Sequence, residues 1–269
     1  LKIALICPRY FNPEEIWGES LEFMQLQSVL QRMNFTAHLY DITNWQGAIT
    51  KPYDIVINNC NTYGGIHHAM SICPAVKIFW VVSSPINMQW ILTEDYGYDF
   101  YLSISESHVN EIRQSGKVAY FVECATDTWT FHPDFMGNYD CNYLYVGNYD
   151  DRKISLLMKY FRDKDNIHVY GNGWDAFYHP SITWKGKYIP YEETRRVYTQ
   201  AMNVFAIHNQ DMIERGMIQG RVYDILACGQ PKKNIITNQD ISRVDIERLD
   251  YKYRVNEILD IIDKKEWKR

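Results

Sequence analysis

The sequence predicts an α/β protein made of two Rossmann-like domains in tandem. Three observations carry that expectation. Short apolar strands alternate with amphipathic helices through the first half. The alternation lapses into turn-forming residues around Glu123 to Cys141. It then resumes as a second series of the same kind. Repeated strand–helix–strand units favour a parallel sheet covered on both faces. The boundaries expected are 1–125 for the first domain, 140–250 for the second and 251–269 for a C-terminal helix.

In the first series, Ile3–Cys7, Thr36–Tyr40, Asp54–Asn58, Lys77–Val82, Phe100–Ile104 and Val118–Val122 read as strands. Leu26, Val29, Leu30 and Met33 recur at i, i+3, i+4 and i+7, one face of a helix. Ser107 to Ser115 reads as another helix, ended by Gly116. The linker holds Ala-Thr-Asp-Thr-Trp-Thr-Phe-His-Pro-Asp from Ala125 and then Met136-Gly137-Asn138, rich in turn chemistry. The second series opens with strand Asn142–Val146 and a helix marked by Ile154, Leu157, Met158 and Phe161. Strand Ile167–Tyr170 follows, then a helix with Thr194, Val197, Tyr198 and Ala201 on one face, then strand Val204–Ile207. Ile218, Val222, Ile225 and Leu226 line a further helix that Gly229 is placed to cap. Val255, Ile258, Leu259 and Ile262 give the tail a helical period.

Composition narrows the class. With 269 residues, 46% hydrophobic and 23% charged, the chain is ordinary globular material, not disordered, collagenous or coiled-coil. No apolar run approaches the ~18 residues that span a bilayer. The Val76 to Val82 run is strand-length and contains Lys77. Leu1 to Cys7 reads as a strand without the features of a signal peptide, so an intracellular, cytoplasmic protein is expected. The six cysteines form no CxxC pair and read as buried packing residues. Residues 1–137 hold 7 Lys/Arg against 14 Asp/Glu, and residues 138–269 hold 21 against 19. The acidic first half does not suit a DNA phosphate backbone, whereas the more basic second half suits a small anion.

The second series carries the motifs with chemical content. Gly147 ends its first strand and is followed by Asn148-Tyr149-Asp150-Asp151-Arg152-Lys153 at a helix start. Glycine admits a ligand to the backbone, while the helix start, Arg152 and Lys153 attract an anion. The plain structural alternative is a βα turn capped by Asp150 or Asp151. The pattern is not GxGxxG, so a dinucleotide site is poorly supported. Gly171-Asn172-Gly173-Trp174 ends the next strand, with two glycines for positive φ and a flat indole for a ligand or for the core. The loop Gly186-Lys187-Tyr188-Ile189 precedes a helix begun by Pro190 and is able to offer backbone groups to a heterocyclic base. Arg221 and Asp224 share one side of a helix, either as a surface ion pair or as phosphate and ribose contacts. His208 lies just past a strand end, where open α/β sheets bind ligands.

In the first series, Asn58-Asn59-Cys60-Asn61-Thr62-Tyr63-Gly64-Gly65-Ile66-His67-His68 forms a polar loop after a strand. His67 and His68 are adjacent, a poor spacing for a metal pair. No carboxylate motif suits a metal either. Glu19 follows Trp17-Gly18 before the first helix. It is the carboxylate best placed for acceptor contact or base chemistry, or else a capping residue.

Taken in order, these motifs resemble the nucleotide-sugar glycosyltransferases of GT-B architecture, group 1, in their spore-maturation (CgeB-like) branch. The resemblance runs over most of residues 118–230. It rests on Cys124-Ala125-Thr126-Asp127 to Phe131-His132-Pro133, Tyr145-Val146-Gly147, Tyr170-Gly171-Asn172-Gly173-Trp174, Gly186 to Glu193, Ile207-His208-Asn209 and Arg221 to Gly229. It implies two Rossmann-like domains facing each other across a cleft, with a donor held mainly by the second. Gly147, Arg152 and Arg221 then lie near the diphosphate and Lys187, Tyr188 and Ile189 near the base. Gly171, Gly173, Trp174 and His208 complete the donor side. Asp224 stands where the family has a ribose-binding Glu, with a shorter reach. No cofactor or metal is required beyond the nucleotide-diphosphate sugar, a UDP-sugar by preference.

The first domain is similar to the DNA glucosyltransferases of T-even phages through Tyr63-Gly64-Gly65 and Lys77-Ile78-Phe79-Trp80-Val81-Val82. Those enzymes follow that strand with an acidic base, but this chain has Ser83-Ser84-Pro85, and serine needs an activating partner to act as a base. Gly64, Gly65 and Ser84 are expected on the acceptor side, with Glu19 and His67 as candidates for acceptor activation. The function expected is hexosyl transfer from a nucleotide sugar to a hydroxyl acceptor, whether glycan, small molecule or modified DNA base. Glucosylation of hydroxymethylated DNA is one alternative, set then in a host cytoplasm. A binding module that transfers nothing is the other.

Overall fold

The computed structural model describes residues 1–8, 18–61, 64–83, 89–134, 137–160 and 166–264. In chain order the elements are β1 (Lys2–Ile6), α1 (Gly18–Arg32), β2 (Thr36–Tyr40), α2 (Gln46–Thr50), β3 (Ile55–Asn58), α3 (Gly64–Met70), β4 (Val76–Val81), α4 (Trp90–Thr93), β5 (Phe100–Ser103), α5 (Glu106–Gln114) and β6 (Ala119–Phe121). Then follow β7 (Cys141–Val146), α6 (Asp151–Leu157), β8 (Ile167–Tyr170), β9 (Ile182–Trp184), α7 (Tyr191–Thr199), β10 (Ala201–Ala206), α8 (Gln210–Glu214), α9 (Gly220–Ala227), β11 (Ile235–Thr237) and α10 (Tyr251–Lys264). Each strand read from the sequence is present within a few residues of its expected ends. Phe161 of the expected helix lies outside the described residues, and α6 ends at Leu157.

The chain divides into two compact units. One comprises Leu1–Asp127, Asn209–Gly220 and Arg248–Arg269; the other comprises Thr128–His208 and Arg221–Glu247. The first unit is built on a six-stranded sheet of order β2-β1-β3-β4-β5-β6, parallel throughout. β3 and β5 are buried at every residue, which is why their sequences run apolar without alternation. α1 lays Phe23, Leu26, Val29 and Leu30 into the core. Two later segments complete this unit. The Ser105 hydroxyl, which also caps α5 by accepting from His108 N at 3.2 Å, donates to the Arg215 carbonyl at 2.7 Å. Thr126 pairs with Asp250 in a parallel bridge. Buried Arg254 of α10 reaches Glu123 at 2.9 Å and Glu257 at 3.0 Å.

The second unit holds a five-stranded sheet of order β11-β10-β7-β8-β9, also parallel. Its core gathers Tyr145, Leu157, Ile167, Val169, Trp174, Phe205 and Ile207. The edge strands β9 and β11 are three residues each, too short to show a period in sequence. A 3₁₀ turn, Lys232–Asn234, leads directly into β11.

Candidate functional site

Both sheets are parallel and open, so chemistry is sought where the strands end at their carboxyl termini. In the second unit three glycines build that edge. Gly147 N donates to the Tyr170 carbonyl at 2.8 Å, and Gly171 N donates to the Gly186 carbonyl at 3.0 Å. Gly171 has φ +136°, and a Cβ there would stand 2.2 Å from the Gly147 oxygen. Only glycine fits this approach of the β7 and β8 ends. Gly173, at φ +84°, turns the chain into the short helix that begins at Trp174. The Trp174 indole N–H donates to the Gly147 carbonyl at 2.8 Å and the Trp184 indole to the Gly171 carbonyl at 3.1 Å. Trp174 is 2% exposed, with Tyr145, Tyr149 and Phe177 rings around it. Its indole is therefore a core strut under the glycine turn, not an open face for a ligand; the apolar strands around it win the ring.

Over this edge lie basic side chains. Arg221, on the first turn of α9, stands beside the hydroxyls of Tyr145 and Tyr198. Lys153, on the first turn of α6, has its pKa lowered by burial and next by the Arg221 charge. His208, 2% exposed, is pushed down to about 4 by burial, then by Arg221 and also by Lys153. It is neutral at ordinary pH. The Asn238 side chain brackets its backbone, accepting from His208 N at 2.8 Å and donating to its carbonyl at 3.0 Å, and the Thr237 hydroxyl meets Nδ1 at 3.3 Å. Among the described residues neither Lys153 nor Arg221 takes part in an ion pair. Two half-buried cations, Lys153 with its charge disfavoured by its neighbour Arg221 and neither in an ion pair with a carboxylate among the described residues, form a locus that an anion would relieve.

The other expected donor residues divide. Arg152 points away: its side chain is 81% exposed and forks onto Asp150 at 2.9 and 2.7 Å, while Asp150 caps α6. Adjacent Lys153 is the cation that faces Arg221, a helical phase that spacing alone did not separate. Asp224 is half-buried, and its charge reaches Tyr198 and Cys228, so Arg221 and Asp224 meet around the Tyr198 hydroxyl. Lys187 is exposed. Tyr188 and Ile189 line a cavity of about 590 Å³ beside α7, together with His168, Tyr170, Lys185 and Arg196; Lys153, His208 and Arg221 are not in its wall.

In the first unit Glu19 is half-buried on the first turn of α1, and its carbonyl accepts from Asn59 Nδ2 at 3.0 Å. Gly64 and Gly65 open α3 and are exposed. Ser84 lies outside the described residues. His67 is 3% exposed, bonded through Nδ1 to the Tyr98 hydroxyl at 2.8 Å and ringed by Phe79, Trp90 and Tyr96. Burial lowers its pKa to about 4. This is a core histidine whose ring is enclosed by aromatic packing, and the expectation of an acceptor-activating role is corrected accordingly. Among the described residues no group of three His, Cys, Asp or Glu side chains is arranged to hold a metal ion. The six cysteines are buried and form no disulfide among the described residues.

No protein-family model matches the sequence, and no curated protein does. Solved structures do match. An alpha-glucosyltransferase in complex with UDP and a 13-mer DNA containing a central A:G mismatch superposes with TM-score 0.60 at 12% identity, over 96% of this chain and 90% of that one. The alpha-glucosyltransferase with UDP and a 13-mer DNA containing a HMU base gives 0.62 at 10% identity over the same shares. WaaG, a glycosyltransferase involved in lipopolysaccharide biosynthesis, gives 0.46 at 10% identity over 94% and 90%. The spore-maturation resemblance has no counterpart among these. At such identity the likeness is one of fold: the chain shares the two-sheet α/β architecture of a GT-B glycosyltransferase, as the sequence led us to expect.

Proposed function

We propose that this chain is a glycosyltransferase that moves a hexosyl group from a nucleotide-diphosphate sugar, UDP-linked by preference, to a hydroxyl acceptor. The observation that carries the reading is the locus of Lys153, Arg221 and neutral His208 at the carboxyl edge of the second sheet. In this scheme the acceptor oxygen bonds the anomeric carbon as the bond to the diphosphate oxygen breaks. The diphosphate leaves with the electron pair, and the hydroxyl proton passes to a base or to water. Arg221 and Lys153 stabilise the charge that develops on the leaving oxygens, and neutral His208 is assigned a supporting role beside them. The glycines Gly147, Gly171 and Gly173 shape the edge by letting the β7 and β8 ends close on each other, the Gly186–Ile189 loop is assigned to the base, and Asp224 is assigned to the ribose. The UDP in the structurally similar alpha-glucosyltransferase supports the choice of donor. Glu19 is retained as the acceptor-side carboxylate.

The test is release of UDP from UDP-glucose with a panel of hydroxyl acceptors, followed by analysis of the product. Acceptor-dependent release supports transfer. A second reading, a nucleotide-binding module without turnover, draws on Ser83 standing after β4 and on the enclosure of His67. UDP binding without release under any acceptor would decide for it.

A further inference from the structure

Arg221 is held differently from other enclosed arginines of the chain. Arg32, Arg215 and Arg254 each give the guanidinium to a carboxylate, on Asp127, Glu111 and Glu123 respectively. A carboxylate fixes the direction of the fork and at the same time offsets its charge. Arg221 takes part in no ion pair among the described residues. Its side chain lies within hydrogen-bond reach of two phenol oxygens instead, those of Tyr145 on β7 and Tyr198 on the last turn of α7. A phenol oxygen accepts from a guanidinium and brings no counter-charge. Burial raises the pKa of both phenols, so they stay neutral. Lys153 and His208 lie beside the same guanidinium, so its direction sets the geometry of the whole locus.

Packing fixes both hydroxyls. The Tyr145 hydroxyl lies at the carboxyl end of β7: a Cβ at Gly147 would stand 3.0 Å from it and 3.1 Å from the ring carbon that bears it. Gly147 is not among the glycines with positive φ, so space rather than backbone conformation dictates the residue. The phenol has little room to yield, because Tyr145 is buried and meets Trp174 edge-on at 5.6 Å between centroids. Trp174 in turn is tied to the Gly147 carbonyl at 2.8 Å. Tyr198 is buried beside Phe131, with centroids 6.5 Å apart, and its carbonyl accepts from Gln230 Nε2 at 2.9 Å. Two rigid rings from separate elements thus converge on one half-buried arginine, which is how a charged group is preorganised for a ligand.

Resting on the transferase reading and its donor locus, we propose that Tyr145 and Tyr198 are positioning residues for Arg221. Their hydroxyls aim the guanidinium at the diphosphate without neutralising it, and Gly147 is glycine to leave room for the Tyr145 hydroxyl. The test is calorimetric titration of UDP and uridine against wild type, Tyr145→Phe, Tyr198→Phe and Gly147→Ala, each repeated in an Arg221→Ala background. Each Phe variant is expected to weaken UDP about three- to tenfold and to leave uridine within about twofold. Gly147→Ala, which displaces the phenol, should match Tyr145→Phe. Without Arg221 the same substitutions should change UDP affinity by less than about twofold, since the group they position is gone. A merely structural role would weaken both ligands together, or weaken UDP equally with and without Arg221, and either result overturns the proposal. Wild-type UDP affinity in both Phe variants overturns it as well. Failure of the donor locus itself is distinguishable: wild type then binds UDP no more tightly than uridine, and both readings fall. Wild type that prefers UDP, with unaltered Phe variants, removes this proposal alone.

Discussion

Single residues at the β7 and β8 ends determine whether the glycine-built edge of the second sheet exists at all. Gly171→Ala introduces both a clash with the Gly147 carbonyl and a side chain at φ +136°. Overpacking and backbone strain each cost about 1–3 kcal/mol, so urea denaturation is expected to show a loss of about 3 kcal/mol; a loss within 0.5 kcal/mol would contradict the geometry. Trp174→Phe keeps the ring but removes the donor to Gly147, and a loss of about 1–2 kcal/mol is expected in the same measurement. The glycines were legible from sequence because positive φ and close approach leave few other choices. Trp174 was not, since an indole after Gly-x-Gly suits a ligand face and a core equally until its neighbours are known. The same holds for Arg152 and Lys153: two cations in succession point to different sides of a helix, and only the pairing of Arg152 with Asp150 shows which one is spent.

Elements were legible where their apolar period is long. α1 and α5 emerge from spacing and caps, and the buried strands from continuous aliphatic runs. The three-residue strands β9 and β11 and the short helices α2, α3, α4 and α8 leave no period to read. Segments 209–220 and 248–269 belong to the first unit only through contacts far along the chain, such as Thr126 with Asp250 and Ser105 with Arg215. Sequence spacing carries no trace of those. Ser105 makes that dependence testable. Ser105→Ala removes the α5 cap and the bond to the Arg215 carbonyl together. A loss of about 1–3 kcal/mol is expected, with faster amide exchange in 209–217. Unchanged exchange there would mean the segment is held by other contacts.

Across the whole molecule, three buried histidines set the response to acid. His67, His108 and His208 are each lowered from 6.5 to about 4, first of all by burial. The unfolded chain therefore binds protons at these sites before the folded one does. Stability is full above about pH 6.5 and falls as the pH drops toward 4, by an amount of the order of 3 kcal/mol per histidine. Thermal melts from pH 7.5 to 4.5 are expected to show a steady fall in Tm beginning near 6.5, and His67→Gln should flatten it; a Tm constant over that range would contradict the burial of these rings. The wider account, a sugar donor anchored by its diphosphate on the second unit, is tested most directly by calorimetric titration of uridine, UMP and UDP against wild type, Arg221→Ala and Lys153→Ala. Affinity is expected to rise with each phosphate in the wild type, and each substitution should cost about tenfold or more for UDP while leaving uridine nearly unchanged. Equal affinity for uridine and UDP, or wild-type UDP binding in both variants, would contradict it.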